Sequence, residues 1–349
     1  MQEKANIRKY SLEELVEYFL RKGRKKFRAK QVYEWLWTKG VTTFDQMTNL
    51  SSEDREELAN EFFIQTIQIH QQQKSSDGTI KLSFKTYDNY LIEGVLIPAG
   101  NRTTACISSQ IGCKLNCSFC ATGTIKFKRN LTAGEIFDQV QYLNKLSLKT
   151  YQSSLSNIVY MGMGEPLLNY REVMQSINYI TEKEGMNFSP KRITLSTVGL
   201  PDQIKQLADN NIKFNLAVSL HSAIEKTRSK LVPVNKKYNL EDLKEALKYF
   251  HNQSGKRITF EYLMLEGIND SLKDAKALAE YCKNFPVKIN LIEYNPYSGL
   301  NYNKTKPDDL KAFQEFLEKR NMIVKIRKSR GQDIDAACGQ LAGKAQHNG

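Results

Sequence analysis

The chain has 349 residues, 40% of them hydrophobic and 26% charged, enough for one large catalytic domain and a smaller accessory one. The excess of 51 Lys+Arg over 38 Asp+Glu gives a formal charge of +13, which favours a polyanionic partner, nucleic acid before membrane. No apolar run reaches the length of a membrane span, and no signal-peptide core opens the chain; six cysteines, three of them in one loop, do not form a secreted disulfide framework, so a cytoplasmic setting is expected.

Residues 1–63 read as a small helical module. Ser11 with Glu14 forms a capping box before the stripe Leu12, Leu15, Tyr18, Phe19. A second helix is expected over Ala29–Lys39 and a third from Ser51 to about Phe62. Between the first two, Arg21–Lys30 is the densest positive stretch of the chain, with Phe27 interleaved. Charge runs are usually solvated loops; in a module of this kind the run favours contact with an RNA backbone, where phosphate neutralisation gives sequence-independent affinity.

Residues 64–100 change to a period of two. Ile64–His70 alternates, Asp77-Gly78 marks a hairpin, and a second turn at Tyr87–Tyr90 precedes Leu91–Pro98. This stretch is expected to be a linking β-meander. Within it Glu93 is a carboxylate in an apolar strand, and a buried carboxylate with a raised pKa suits proton transfer.

From residue 101 to 343 strand and helix patterns alternate. Strands are expected at Thr103–Ser108, Asn157–Met161, Arg192–Thr197, Lys213–Leu220, Arg257–Leu265 and Val287–Tyr294, and helices between them; a helix at Pro307–Arg320 and a strand at Met322–Arg327 follow. Such alternation specifies an α/β fold with a parallel sheet. Six units fit a partial (β/α)6 barrel, although a doubly wound open sheet gives a similar pattern. Residues 344–349 are polar and expected to form a disordered tail.

The most informative stretch is Cys113-Lys-Leu-Asn-Cys117-Ser-Phe-Cys120, just past the first strand of this region. Three thiolates within eight residues can hold one face of a metal cluster and leave a coordination position open, whereas iron–sulfur clusters normally have four cysteine ligands. Structural zinc would call for a second ligand pair, and none follows. Simple packing of small buried thiols is the remaining alternative.

The CxxxCxxC run resembles the cluster loop of the radical S-adenosylmethionine (SAM) superfamily. The wider stretch Cys106–Gly123, Met161-Gly-Met-Gly-Glu-Pro166 and Gly331–Leu341 resemble the RlmN family of RNA methyltransferases, the last of them nearly residue for residue. The resemblance runs through almost the whole chain; Tyr297–Lys304 departs from the family's wording. It implies the radical SAM barrel and a [4Fe-4S] cluster on Cys113, Cys117 and Cys120, with SAM on its open iron. It also implies SAM contacts from Gly164 and Glu165, and from Ser196, Ser219, Leu220, His221 and Asn295 at strand C-termini. Polar residues at such places are otherwise ordinary caps and turn formers.

The implied reaction methylates C2 of adenine in 23S rRNA, at the peptidyl-transferase centre, and in tRNA next to the anticodon. C2 lies between two ring nitrogens and is too electron-poor to attack the SAM methyl group. The resemblance therefore implies that Cys338 carries the methyl as S-methylcysteine. A 5′-deoxyadenosyl radical from a second SAM activates it, Glu93 accepts the C2 proton, and Cys106 releases the product through a transient disulfide with Cys338. An electron donor such as flavodoxin or ferredoxin, no membrane and a monomeric state belong to the same expectation. Cys282 has no such context and reads as core. The alternatives are a Cfr-type adenine-C8 methyltransferase, a radical SAM enzyme acting on a small metabolite, and a noncatalytic RNA-binding protein with a structural metal. The last two have no use for Cys106 and Cys338.

Overall fold

The computed structural model describes residues 4–297 and 299–341. The chain begins with α1 (Leu12–Arg21), α2 (Phe27–Glu34) and α3 (Ser52–Glu61). The capping box at Ser11 forms as its sequence requires, with Glu14 N donating to Ser11 Oγ at 3.1 Å and Ser11 N to Glu14 Oε2 at 2.7 Å. The second helix departs from expectation: it starts two residues earlier, and after Glu34 it widens into a π-helical turn through Lys39, ended by Gly40 at φ +60°.

Ten strands then form one sheet, hydrogen-bonded in chain order. They are β1 (Gln68–Lys74), β2 (Ile80–Lys85), β3 (Leu91–Ala99), β4 (Arg102–Cys106), β5 (Asn157–Tyr160), β6 (Ile193–Thr197), β7 (Asn215–Ser219), β8 (Ile258–Met264), β9 (Val287–Glu293) and β10 (Ile323–Arg327). The pairs from β1 to β4 are antiparallel; those from β4 to β10 are parallel. Six helical crossovers connect the parallel strands: α4 (Ala133–Tyr151), α5 (Tyr170–Thr181), α6 (Pro201–Asp209), the pair α7 (Glu225–Leu231) and α8 (Leu240–Ser254), α9 (Leu272–Cys282) and α10 (Pro307–Glu318). This is the expected six-unit barrel with a seventh strand at its end. Among the described residues β10 pairs only with β9, so the barrel is partial.

Parallel strands covered on both faces should be apolar nearly throughout. In β8 every residue except Thr259 is buried. At the other edge β1 is polar and exposed along almost its whole length, which discourages further pairing. The alternation at Ile64–His70 places this strand too early, since it runs over Gln68–Lys74. Ile67 is buried and donates its N–H to Asp138 Oδ2 on α4 at 3.2 Å, so the chain docks on a helix before pairing begins at Gln68.

The meander expected as a linker is the antiparallel continuation of the barrel sheet, with Val95 opposite Cys106. The N-terminal module is also firmly seated. Trp37 stacks on Tyr179 of α5 with centroids 3.6 Å apart, and Arg8 pairs with the buried Asp138 at 2.7 Å. One apolar core runs from Ile7 to Leu341. The expected tail at 344–349 lies outside the described residues.

Candidate active site

The C-terminal ends of the parallel strands surround a cavity with about 990 Å³ of empty space, the place where such barrels keep their chemistry. Its wall includes Cys113, Cys117 and Cys120 after β4, Gly164 and Glu165 after β5, Ser196 of β6, Ser219 and His221 at the end of β7, and Cys338 beyond β10. Residues more than two hundred positions apart are thus brought to one wall by the barrel.

The cysteine loop is shaped by its own backbone. Asn116 takes φ +50°, Cys120 N donates to Cys117 O at 3.1 Å, and Gly123 N to Cys120 O at 3.0 Å. Ser118 N reaches Leu231 O at 3.0 Å and its hydroxyl accepts from Tyr302 at 2.8 Å, so α7 and the segment after β9 brace the loop. Among the described residues no three His, Cys, Asp or Glu side chains converge tightly enough to hold a single metal ion. The three thiols nevertheless influence one another. Burial pushes Cys113 up to about 12, and Cys117 and Cys120 upward as well, with the neighbouring cysteines adding to the shift at Cys113 and Cys117. Buried sulfurs facing one cavity are a soft donor set suited to iron–sulfur ligation, with metal charge needed to ionise them. The residues present fit such a group.

Gly164 shows a cradle beside them. Its φ is +94°, and a Cβ there would lie 2.4 Å from Gln110 Cβ, so only glycine lets the chain pass. Glu165 is buried; Oε1 accepts from Leu167 N at 3.0 Å and Oε2 from Val198 N at 2.9 Å. Burial holds its carboxyl at about 7, against the opposing effect of these hydrogen bonds. His221 sits at φ +60°, accepts from Leu263 N at Nδ1 (3.1 Å), and packs edge-on to Phe119. With Nδ1 accepting, the ring proton is on Nε2. Ser196 and Ser219 hydroxyls lie 3.5 Å apart.

Two expected contact residues do not line the cavity. Leu220 is buried, donating its N–H to Glu261 O and accepting at its carbonyl from Arg228 Nε. Asn295 is used internally: Nδ2 donates to Cys338 O at 3.2 Å and Oδ1 accepts from Gln332 Nε2 at 2.8 Å. It supports the loop that carries Cys338. That loop is also tied to the β1–β2 turn by Asp333, which accepts from Ser75 Oγ (2.6 Å) and Ser76 N (3.0 Å). A further tie to the cysteine loop runs from Ala121 N to Gly339 O (2.8 Å).

Cys106 and Glu93 are not among the residues that line the cavity. Residues directly opposed in an antiparallel pair share a face; the register pairs Val95 with Cys106, Ser83 with Glu93 and Lys81 with Val95. Lys81, Glu93 and Cys106 therefore face the same side, and Lys81 Nζ lies 3.4 Å from Glu93 Oε1. Burial pushes the Cys106 thiol up to about 12; a Cys338 anion adds to this, and Arg327 opposes it. Sequence reasoning missed Arg327, Glu261 and Thr197, all on the cavity wall, because nothing in their local sequence separates them from ordinary strand residues. Cys282 is core, as expected.

The basic stretch is partly neutralised. Lys22 pairs with Glu57 (3.0 Å) and Glu61, Arg24 with Asp54 (3.1 Å) and Arg28 with Asp54 (3.5 Å), all on α3. Arg21, Lys25, Lys26 and Lys30 are exposed, as is Phe27.

The family model of the radical SAM superfamily matches residues 107–279. That of the ribosomal RNA large subunit methyltransferase N-terminal domain matches residues 5–64. A crystal structure of a radical SAM methyltransferase from Sphaerobacter thermophilus is 38% identical, with a TM-score of 0.92 over 97% of this chain and 99% of that one. Fold and site together define a radical SAM enzyme, a class that implies SAM and a [4Fe-4S] cluster. The probable dual-specificity RNA methyltransferase RlmN of Cytophaga hutchinsonii is 52% identical, covering 96% of this chain and 92% of the relative. The dual-specificity RNA methyltransferase RlmN of Geotalea uraniireducens is 41% identical over 98% of both chains. The chain belongs to the RlmN family of dual-specificity RNA methyltransferases.

Proposed function

We propose that this protein methylates C2 of adenine in 23S rRNA and in tRNA, with Cys338 carrying the methyl group. The reading rests above all on one placement: Cys338 shares a cavity wall with Cys113, Cys117 and Cys120, and Cys106 lies close enough to feel its charge. Cys113, Cys117 and Cys120 would hold the [4Fe-4S] cluster, and Gly164, Glu165, Ser196, Ser219 and His221 would hold SAM. When bound, these groups supply the 5′-deoxyadenosyl radical that activates an S-methyl group. Asn295 keeps Cys338 facing the cavity through its carbonyl. Glu93, with Lys81 as counter-ion, accepts the proton from C2. Cys106 then attacks Cys338 sulfur and frees the methylated base as the disulfide forms. The N-terminal module supplies backbone contact to the RNA through Arg21, Lys25, Lys26 and Lys30. A cytoplasmic monomer fed by flavodoxin or ferredoxin completes the proposal.

The test is nucleoside analysis of RNA treated with the anaerobically reconstituted protein, SAM and reductant, beside mass spectrometry of the protein. Wild type should give 2-methyladenosine and an S-methyl on Cys338, and Cys338→Ala should give neither. Formation of 8-methyladenosine would replace the C2 assignment. SAM cleavage without RNA methylation would move the substrate to a small molecule.

A further inference from the structure

The parallel pairing of β6 with β7 ends at Thr197 opposite Val218. Beyond that pair the two chains carry Val198, Ser219 and His221 to the cavity wall, and their backbone carbonyls need donors from elsewhere. Arg228 of α7 supplies two. Its side chain is wholly buried; Nη2 donates to Val198 O, just past β6, and Nε donates to Leu220 O, just past β7, at 3.2 Å. Nη1 donates to Asn235 Oδ1, and Asn235 Nδ2 in turn donates to Glu225 Oε1 and to Ser229 Oγ (2.8 Å). Burying a guanidinium is costly unless hydrogen bonds satisfy it. Here two of its three nitrogens are spent on the backbones of two neighbouring strand ends.

Each of these two residues is tied to a side chain that the function proposed above assigns to SAM. The N–H of Val198 donates to Glu165 Oε2 at 2.9 Å, so the path of this segment sets where the buried carboxylate sits. Leu220 precedes His221, whose φ of +60° is uncommon for a residue with a side chain. That turn is held from several sides. Arg228 takes the Leu220 carbonyl, Asn269 Nδ2 donates to the His221 carbonyl at 2.6 Å, and Leu263 N donates to the His221 ring at 3.1 Å. Of the three, Arg228 is the one that also reaches the end of β6. Three residues further along α7, Leu231 O accepts from Ser118 N in the cysteine loop at 3.0 Å. One short helix therefore joins both strand ends to the loop that bears Cys113, Cys117 and Cys120.

We propose that Arg228 is a positioning residue for SAM: by bridging Val198 and Leu220 it holds Glu165 and His221 in a fixed relation across the end of the sheet before the ligand binds. This rests on the assignment of SAM to that wall in the function proposed above, and on no later step of the reaction. A guanidinium suits the task because its planar fork reaches two carbonyls at once in a set geometry, whereas a lysine ammonium is a point donor on a flexible stem. Without the bridge, the ordering of both segments falls on the binding step and is subtracted from affinity. The expected loss is about tenfold in SAM affinity, the equivalent of one ordinary hydrogen bond.

The experiment titrates reconstituted holoenzyme with SAM by equilibrium dialysis for wild type, Arg228→Lys and Arg228→Gln, with iron and sulfide content and denaturant midpoint measured on the same samples. Trp37→Ala, in the N-terminal module and stacked on α5, is the control for lost stability alone. Both arginine variants should bind SAM about tenfold more weakly at full cluster content, while Trp37→Ala should bind it as wild type does. In protein without SAM, hydrogen exchange at the Val198 amide should be faster in Arg228→Lys, and the amides within β6 should keep their protection. Arg228→Lys carries the test alone if the glutamine variant does not fold. If wild type binds no SAM, the assignment of the wall fails and the proposed function with it. If wild type binds SAM but methylates no RNA, that function fails and the role of Arg228 stands on the binding data. If the arginine variants that fold match wild type in SAM affinity, or lose it only in proportion to lost cluster, the role of Arg228 is overturned.

Discussion

At the residue scale the site is built from groups that burial holds uncharged until something charged arrives. His221 is the simplest case. Burial, then the charge of Arg228, brings its pKa from 6.5 down to about 3. The unfolded chain takes up a proton at 6.5 that the folded chain refuses until far lower, and an imidazolium could not accept from Leu263 N. Stability from this residue is full above pH 6.5 and is lost as pH falls below it, by up to about 1.4 kcal/mol per pH unit. His221→Asn keeps a residue type that tolerates the left-handed backbone at φ +60°, and it should flatten this acid slope. Denaturant midpoints between about pH 5 and 7 measure it; an unchanged slope would remove His221 from the account. Glu165 has the opposite tendency. Its carboxyl, at about 7 through burial, is a cost to the folded protein as pH rises through that value, and a bound ammonium group would offset it.

At the scale of elements, the N-terminal helices are seated on the barrel by a few large contacts. Trp37 is wholly buried between Tyr179 of α5 and Phe137 of α4. Trp37→Ala should therefore cost about 3–5 kcal/mol, seen as a lower denaturant midpoint. Arg8→Met should cost a similar 3–5 kcal/mol, because it leaves the buried carboxylate of Asp138 without its cation. Replacing both partners, Arg8→Met with Asp138→Leu, should recover much of the loss; a purely additive double variant would mean that the pair is not what seats the module. The loop bearing Cys338 is held by hydrogen bonds to the β1–β2 turn, the cysteine loop and Asn295 as well as by burial of Ala336, Ala337 and Leu341. Polar ties of this kind fix direction and remain easier to break than a packed core.

Across the whole molecule the charge of +13 is not spread evenly in its effect. Half-neutralised by α3, the basic stretch leaves Arg21, Lys25, Lys26 and Lys30 exposed. The double change Lys25→Glu with Lys26→Glu should weaken RNA binding. It should also reduce the slope of log affinity against log salt by about 0.7–0.9 for each phosphate that is no longer neutralised, with little change in stability. Arg24→Glu should instead act mainly on stability, because its partner Asp54 is buried. Filter binding at a series of salt concentrations separates the two; an unchanged slope for the lysine pair would move RNA contact elsewhere.

Much of this was legible in the sequence because it is local. The capping box at Ser11, the Asp77-Gly78 hairpin, the apolar runs of the parallel strands and the spacing of Cys113, Cys117 and Cys120 all depend on residues a few positions apart. Order of strand and helix specified a parallel sheet, since each parallel pair needs its crossover, while the resemblance of the cysteine loop chose the barrel over a doubly wound open sheet. Tertiary structure alone decided what crosses the chain. It turned Asn295 from the cavity to the Cys338 loop, made the meander part of the barrel sheet, and paired Arg24 and Arg28 with Asp54. It also brought Arg327 from the last strand to the cavity wall that carries Cys338. A side chain's charge and reach are written in its residue type, but its partner is set by which distant strand end closes the barrel beside it.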